Sequence, residues 1–159
     1  MEKNQYIPVM IQSLKKKNEI LDVIISLNQQ QREELENPAL DPDDFDLTVE
    51  KKAKQIEELE RLDAGFGELF ERVRGELNGN RQTYCEEIAT MQELIRLLTG
   101  KSADIRAQEQ RNKELMTRKF AAVRKQVKEV RKSQKIVNQY YKNMMKTVYI
   151  EPQFTDKKK

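Results

Sequence analysis

The stretch DPDDFDLTVEKKAKQIEELERLDAGFGELFERVRGELNGN, residues 41–80, decides the fold class of this chain. Asp41 followed by Pro42 is a strong helix start, because aspartate caps a helix and proline suits its first position. Asn78-Gly79-Asn80 predicts a left-handed C-cap and a turn at the other end. Between these signals the core-facing positions recur at alternating steps of four and three, which predicts one amphipathic helix over residues 42–77. Those positions are Phe45, Val49, Lys52, Ile56, Leu59, Asp63, Phe66, Phe70, Val73 and Leu77.

Two further helices are predicted on either side of this stretch. The first runs from about Pro8 to Glu36, and it ends there because the residue before Pro38 avoids helical backbone angles. The third is predicted over residues 81–148. Leu98 and Ile105 stay in phase across Gly100, so one continuous helix is favoured over a turn that has Ser102 as its N-cap.

The predicted fold class is therefore all-α: an elongated antiparallel three-helix coiled-coil bundle with a long protruding C-terminal helix. At ~1.5 Å per residue the helices would be about 45, 55 and 100 Å long, so the first two leave half of the third uncovered. Residues 1–150 are expected to form a single all-helical domain. Residues 151–159 contain Pro152 and three terminal lysines, and we expect a disordered, lysine-rich tail.

Charge is distributed unevenly along the 159 residues, although the net charge is only +3. Residues 37–80 carry 6 basic and 12 acidic side chains, whereas residues 117–159 carry 13 basic and 3 acidic ones. Such a gradient gives the molecule distinct faces, which favours distinct contacts.

Residues that support catalysis are scarce. Histidine, the commonest general base and metal ligand, is absent, and the single cysteine, Cys85, has no histidine to activate it. Paired acids such as Glu57-Glu58 lie on predicted exposed helix faces. The sequence therefore predicts no enzyme, no metal, no cofactor and no small-molecule substrate. It also shows no signal-peptide pattern and no stretch long enough to span a membrane, so a cytoplasmic protein is expected.

A stripe near the end of the third helix is the best candidate for partner binding. It carries more apolar surface than one helix seam needs, and Lys132, Lys135, Lys142 and Lys146 flank it. Methionine and tyrosine together make an adaptable surface for helical partners. The alternatives are a stripe buried in the bundle or in a homodimer, a nucleic-acid contact and a membrane-surface helix. The candidate partner-binding residues are Val130, Val137, Tyr140, Tyr141, Met144, Met145 and Val148.

Several segments resemble the FlgN-type flagellar type III export chaperones. The first helix ends in glutamine and glutamate before Leu35, and a short acidic linker follows. The pattern Phe45-x6-Lys52-x3-Ile56-x2-Leu59-x2-Leu62 comes next. LDAGF at residues 62–66 and NQYYKNM at residues 138–144 also look like versions of this family. The similarity covers about residues 7–146.

The resemblance implies a cytosolic chaperone that binds helical C-terminal segments of flagellar hook-filament junction proteins. It also implies that the chaperone prevents premature assembly and delivers the subunit to an export gate component, meeting the membrane only through the export apparatus. The client side would be that of Val137, Tyr141, Met144 and Val148. A filament-cap chaperone of the FliT type, a generic coiled-coil scaffold and a nucleic-acid-associated helical protein remain the alternatives.

Overall fold

The computed structural model describes residues 4–121, 135–140 and 142. Its helices are α1 (Tyr6–Glu36), α2 (Pro42–Gly79) and α3 (Cys85–Ala121), and residues 135–140 are also helical. The described residues contain no strand, and the predicted all-α fold class is confirmed. Within its bounds α3 runs without a break through Gly100, as the phase of its apolar residues predicted.

The two ends of α2 follow the sequence signals to different degrees. At the start, Oδ1 of Asp41 accepts a hydrogen bond from the backbone N–H of Asp43 at 2.9 Å, as predicted. At the end, no described residue has a positive φ, so the predicted left-handed cap is wrong. The side-chain amide of Asn80 donates to the Glu76 carbonyl at 2.9 Å, and its backbone N–H donates to the Leu77 carbonyl at 3.4 Å. These bonds satisfy the carbonyls that a left-handed residue would otherwise serve.

α1 is the central element of the bundle and packs against both α2 and α3. It is antiparallel to α2, because Lys17 early in α1 pairs with Asp63 late in α2, and Gln31 late in α1 accepts from Lys52 early in α2. In contrast, no Cα atom of α2 lies within 8 Å of a Cα atom of α3 in the described residues. The outer two helices therefore meet only through their longer side chains.

α3 runs parallel to α1 and antiparallel to α2. Asn112 in the second half of α3 donates to the carbonyl of Asn28 at 2.9 Å. The Phe45 ring at the start of α2 contacts the Phe120 ring at the end of α3, edge to face, with 5.9 Å between centroids. The up-down-up order of a three-helix bundle follows, as the sequence predicted.

The core is a continuous apolar seam between the helices. It is made by the heptad positions of the sequence, with a few polar residues among them. Its largest apolar side chains with under 2% exposure are Tyr84, Ile7, Met10, Leu14, Leu21, Ile24, Leu59, Met91, Ile95 and Ile105.

Residues 135–140 do not protrude from the bundle, and the sequence expectation is wrong for this segment. A straight extension of α3 would carry Tyr140 about 30 Å beyond Phe120, at ~1.5 Å per residue. Instead, the Tyr140 ring lies over Lys52 of α2, with 4.9 Å between Nζ and the ring centroid. The reason is burial: Val137 and Tyr140 are only 4% and 9% exposed here, whereas a helix projecting into water would leave both side chains solvated.

Candidate partner-binding surface

Two of the candidate residues from the sequence lie within the described part of the chain. Val137 and Tyr140 are both buried, on the same side of the 135–140 segment. Ile136 points away from the core and is 55% exposed. The other five candidates, Val130, Tyr141, Met144, Met145 and Val148, lie outside the described residues.

Beneath Tyr140 lies a buried ion pair that links all three helices. Lys52 of α2 has no exposed surface, and its Nζ donates to Glu109 Oε1 of α3 at 2.6 Å and to Gln31 Oε1 of α1 at 3.1 Å. Burial lowers the pKa of Lys52 and raises the pKa of Glu109, while the attraction between the two charges opposes both shifts. Asn112 extends this polar layer, with its Nδ2 3.4 Å from Gln31 Oε1.

The sequence contains a sign of this ion pair, but the heptad pattern alone does not show that the two residues meet. Lys52 and Glu109 both occupy core positions in mostly apolar heptad lines, in helices of opposite direction. Two opposite charges at core positions predict a buried pair only when their levels along the bundle coincide. The level of each helix is set by tertiary packing, so the pair became visible only in the structure.

Next to Val137 the surface forms a groove that we call the acidic groove. Its apolar lining consists of Leu47, Val49, Ile136 and Val137. Leu47 is 50% exposed and Ile136 is 55% exposed, so two large apolar side chains face water in the same groove. The groove therefore offers apolar anchors for a partner that would remove them from water.

The acidic groove takes its name from the four carboxylates in its lining, Asp43, Asp44, Asp46 and Glu50. Among the residues that the structure describes, no basic side chain lines it. Partial burial raises the pKa of Asp46, and the charges of Asp43 and Glu50 raise it further. The carboxylates thus repel one another, and a cationic partner would relieve that repulsion.

The described residues also bear on metal binding and on membrane insertion. No three of their His, Cys, Asp or Glu side chains are grouped so as to hold a metal ion. None of the described helices is long and apolar enough to cross a lipid bilayer. A groove with apolar and charged residues on a helical bundle is a surface into which an amphipathic helix can dock.

The comparisons with known proteins agree with this class. A family model described as FlgN protein matches residues 1–147, and the chain belongs to the FlgN family. The resemblance found in the sequence is thereby confirmed. The FlgN family is a family of flagellar export chaperones rather than of enzymes. No match was found among curated proteins or among solved structures.

Proposed function

We infer that this protein is a cytoplasmic chaperone for the helical C-terminal segments of flagellar hook-filament junction proteins. It would keep these segments from assembling early and deliver them to the export gate. Membership of the FlgN family supports the general role in flagellar export. The choice of junction proteins as clients rests on the resemblance of the segments quoted above.

The observation that best supports a client site in the acidic groove is its pair of exposed apolar side chains. Leu47 of α2 and Ile136 face water beside the buried Val137. A client helix lying in the groove would cover both side chains, and burying a large aliphatic side chain contributes roughly 1.5–3 kcal/mol. We propose that the candidate residues from the sequence belong to the same client site. They are Val130, Val137, Tyr140, Tyr141, Met144, Met145 and Val148.

The charge of the groove predicts the character of the client helix. Because the described lining carries four carboxylates and no cation, the client should present lysine or arginine beside its apolar face. These rim charges should raise the association rate more than the affinity, and salt should screen their effect.

A charge introduced into the acidic groove tests this site. Leu47→Glu together with Ile136→Glu should weaken binding of a junction-protein C-terminal peptide by at least tenfold, because the charge would be buried under the client. Isothermal titration calorimetry measures the change, with circular dichroism to confirm that the helices persist. Val23→Glu together with Leu97→Glu is the matched control, since Val23 and Leu97 are 43% and 40% exposed outside this groove.

The same titration separates the competing functions. Unchanged affinity in the groove variant would overturn the proposed site. Tighter binding of a filament-cap peptide than of a junction-protein peptide would favour the FliT-type alternative. Binding of nucleic acid with a steep salt dependence, and of neither peptide, would contradict the chaperone role.

A further inference from the structure

A second groove lies on the bundle surface between the first half of α1 and the second half of α2. Its α1 side carries Val9, Ser13 and Lys16, spaced as i, i+4 and i+7. Its α2 side carries Leu62, Gly65 and Leu69, spaced as i, i+3 and i+7. Each row therefore follows one helix face for about 10 Å, which is two helical turns. We call this the basic groove.

The middle of the basic groove is open. Val9 is 52% exposed, and a Cβ atom built on Gly65 would meet no other atom within 4 Å. Gly65 is therefore not required for close packing between α1 and α2. It leaves a gap between Leu62 and Leu69 into which a side chain from outside can fit.

The helices that form the basic groove are held together beneath it. Lys17 and Asp63 form an ion pair, and their side chains are only 9% and 11% exposed. Lys17 follows Lys16 in sequence, and Asp63 lies two residues before Gly65. The groove is thus a preformed feature of the α1–α2 interface, which lowers the ordering cost of binding there.

The charges of this groove are opposite to those of the acidic groove. Lys15, Lys16 and Arg61 line it together with one acid, Glu19, and Glu58 beside the groove pairs with Lys16 and Arg61. Because such exposed pairs are weak, both cations can still attract a partner. A helix with basic flanks would be repelled here and attracted to the acidic groove, whereas a helix with acidic flanks would show the reverse preference. The two grooves are also well separated, since Glu50 and Arg61 are about 16 Å apart along α2 at ~1.5 Å per residue.

We propose that the basic groove docks an acidic amphipathic helix from a second protein while the client occupies the acidic groove. The apolar face of that helix covers Val9, Leu62 and Leu69, and one of its side chains enters the gap at Gly65. Its carboxylates pair with Lys15, and they replace Glu58 at Lys16 and Arg61. The chaperone then carries two partners at once and distinguishes them by charge.

The probe for this proposal is a synthetic amphipathic helix of about four turns, with leucines at i, i+4 and i+7 and glutamates on both flanks. Fluorescence anisotropy on the full-length protein should show binding that weakens as the salt concentration rises. With junction-protein peptide saturating the acidic groove, a twin peptide with lysine in place of glutamate should bind at least tenfold more weakly than the glutamate peptide. A saturating amount of junction-protein peptide should leave the affinity of the glutamate peptide unchanged.

Two variants with matched controls locate the binding. Lys15→Glu with Lys16→Glu should lower the affinity at least tenfold, whereas the same charge change at the exposed Lys51 and Lys54 should have little effect. Gly65→Leu should abolish binding by filling the gap, whereas Gly65→Ala should preserve it.

Three binding results would overturn the proposal. They are equal binding of the two peptides while the client fills the acidic groove, insensitivity to Gly65→Leu, and competition between the glutamate peptide and the client. A dimer in sedimentation that Gly65→Leu converts to monomer would overturn it too, because a second copy would then cover the groove. Failure of the client site alone, in the Leu47 and Ile136 variant, would leave the results at Gly65 unaffected.

Discussion

At the scale of single residues, the buried Lys52–Glu109 pair is the most informative feature. Removing two charges from water is unfavourable, and their mutual attraction offsets it only when the geometry is good and neighbours supply further hydrogen bonds. Here Gln31 supplies one, and the Tyr140 ring covers the ammonium group. The pair sets the level of α2 relative to α3, two helices whose backbones do not touch within the described residues.

Lys52→Met should lower the free energy of unfolding by about 3–5 kcal/mol, because it leaves the Glu109 carboxylate buried without its partner. The double variant Lys52→Met with Glu109→Met should recover most of the loss, since an apolar pair of similar volume is tolerated well. Urea unfolding of both single variants and of the double variant gives the coupling energy directly. Strictly additive effects would mean that the two side chains do not interact.

A second residue-scale cluster should make stability depend on pH. Tyr84 donates to Glu76, which lowers the pKa of Glu76, and Asn4 lowers it further. The same bond to Glu76 raises the pKa of Tyr84. The lowered pKa of Glu76 stabilises the fold at pH values above 4.5, the ordinary pKa of a glutamate. This stabilisation is lost as the pH falls through the pKa of Glu76 in the folded state. The raised pKa of Tyr84 stabilises the fold at pH values below 10.0, the ordinary pKa of a tyrosine. This stabilisation is lost as the pH rises through the pKa of Tyr84 in the folded state.

Tyr84→Phe should therefore lower the free energy of unfolding most at pH values between these two pKa values. The difference from the unaltered protein should shrink at low pH and at high pH. Urea midpoints measured across the pH range test this. A difference that is constant at every pH would assign the effect to packing alone. Tyr6→Phe is a suitable control, because Tyr6 is a partly buried tyrosine near the same end of the bundle.

At the scale of elements, α2 is weakened by its own glycines. Gly65, Gly67 and Gly75 all lie inside the helix, and a Cβ atom would meet nothing within 4 Å at any of them. Alanine is better than glycine in a helix interior by about 1 kcal/mol. Each Gly→Ala change should therefore stabilise the protein by about that amount, as measured by urea unfolding.

Gly79→Ala is the internal control for this series, because Gly79 is the last residue of α2 and should gain less. A loss of stability at any of the three interior positions would show that the helix bends there in solution. The open space around these glycines shows that none of them permits a close approach between helices.

The helices themselves were predictable because each depends on local information. The periodic apolar residues and the Asp41–Pro42 start place α2 within two residues of its observed end. The cap at Asn80 was not predictable in the same way. Asparagine can end a helix either by adopting a left-handed backbone or by donating from its side chain, and only the second occurs here.

At the scale of the whole molecule, the position of residues 135–140 was the main feature that the sequence did not predict. Helical periodicity identifies which face is apolar, but it does not say what covers that face. Val137 and Tyr140 therefore matched both a partner site and a buried stripe, and in the free protein they are buried. Their contact with a client stays a prediction, as does that of the other five candidates. The acidic groove was also missed, because Leu47 and Ile136 are distant in sequence.

The central position of α1 has a consequence for the protein as it leaves the ribosome. α1 is made first, yet its partners in α3 follow about 80 residues later, as the Asn28–Gln108 contact shows. At a synthesis rate of ~5–20 residues per second, the apolar face of α1 waits roughly 4–16 s before α3 can cover it. Contacts this distant in sequence also slow folding relative to bundles built from neighbouring helices. The apolar face of α1 is thus open to contacts with other proteins for several seconds of the synthesis of this chain.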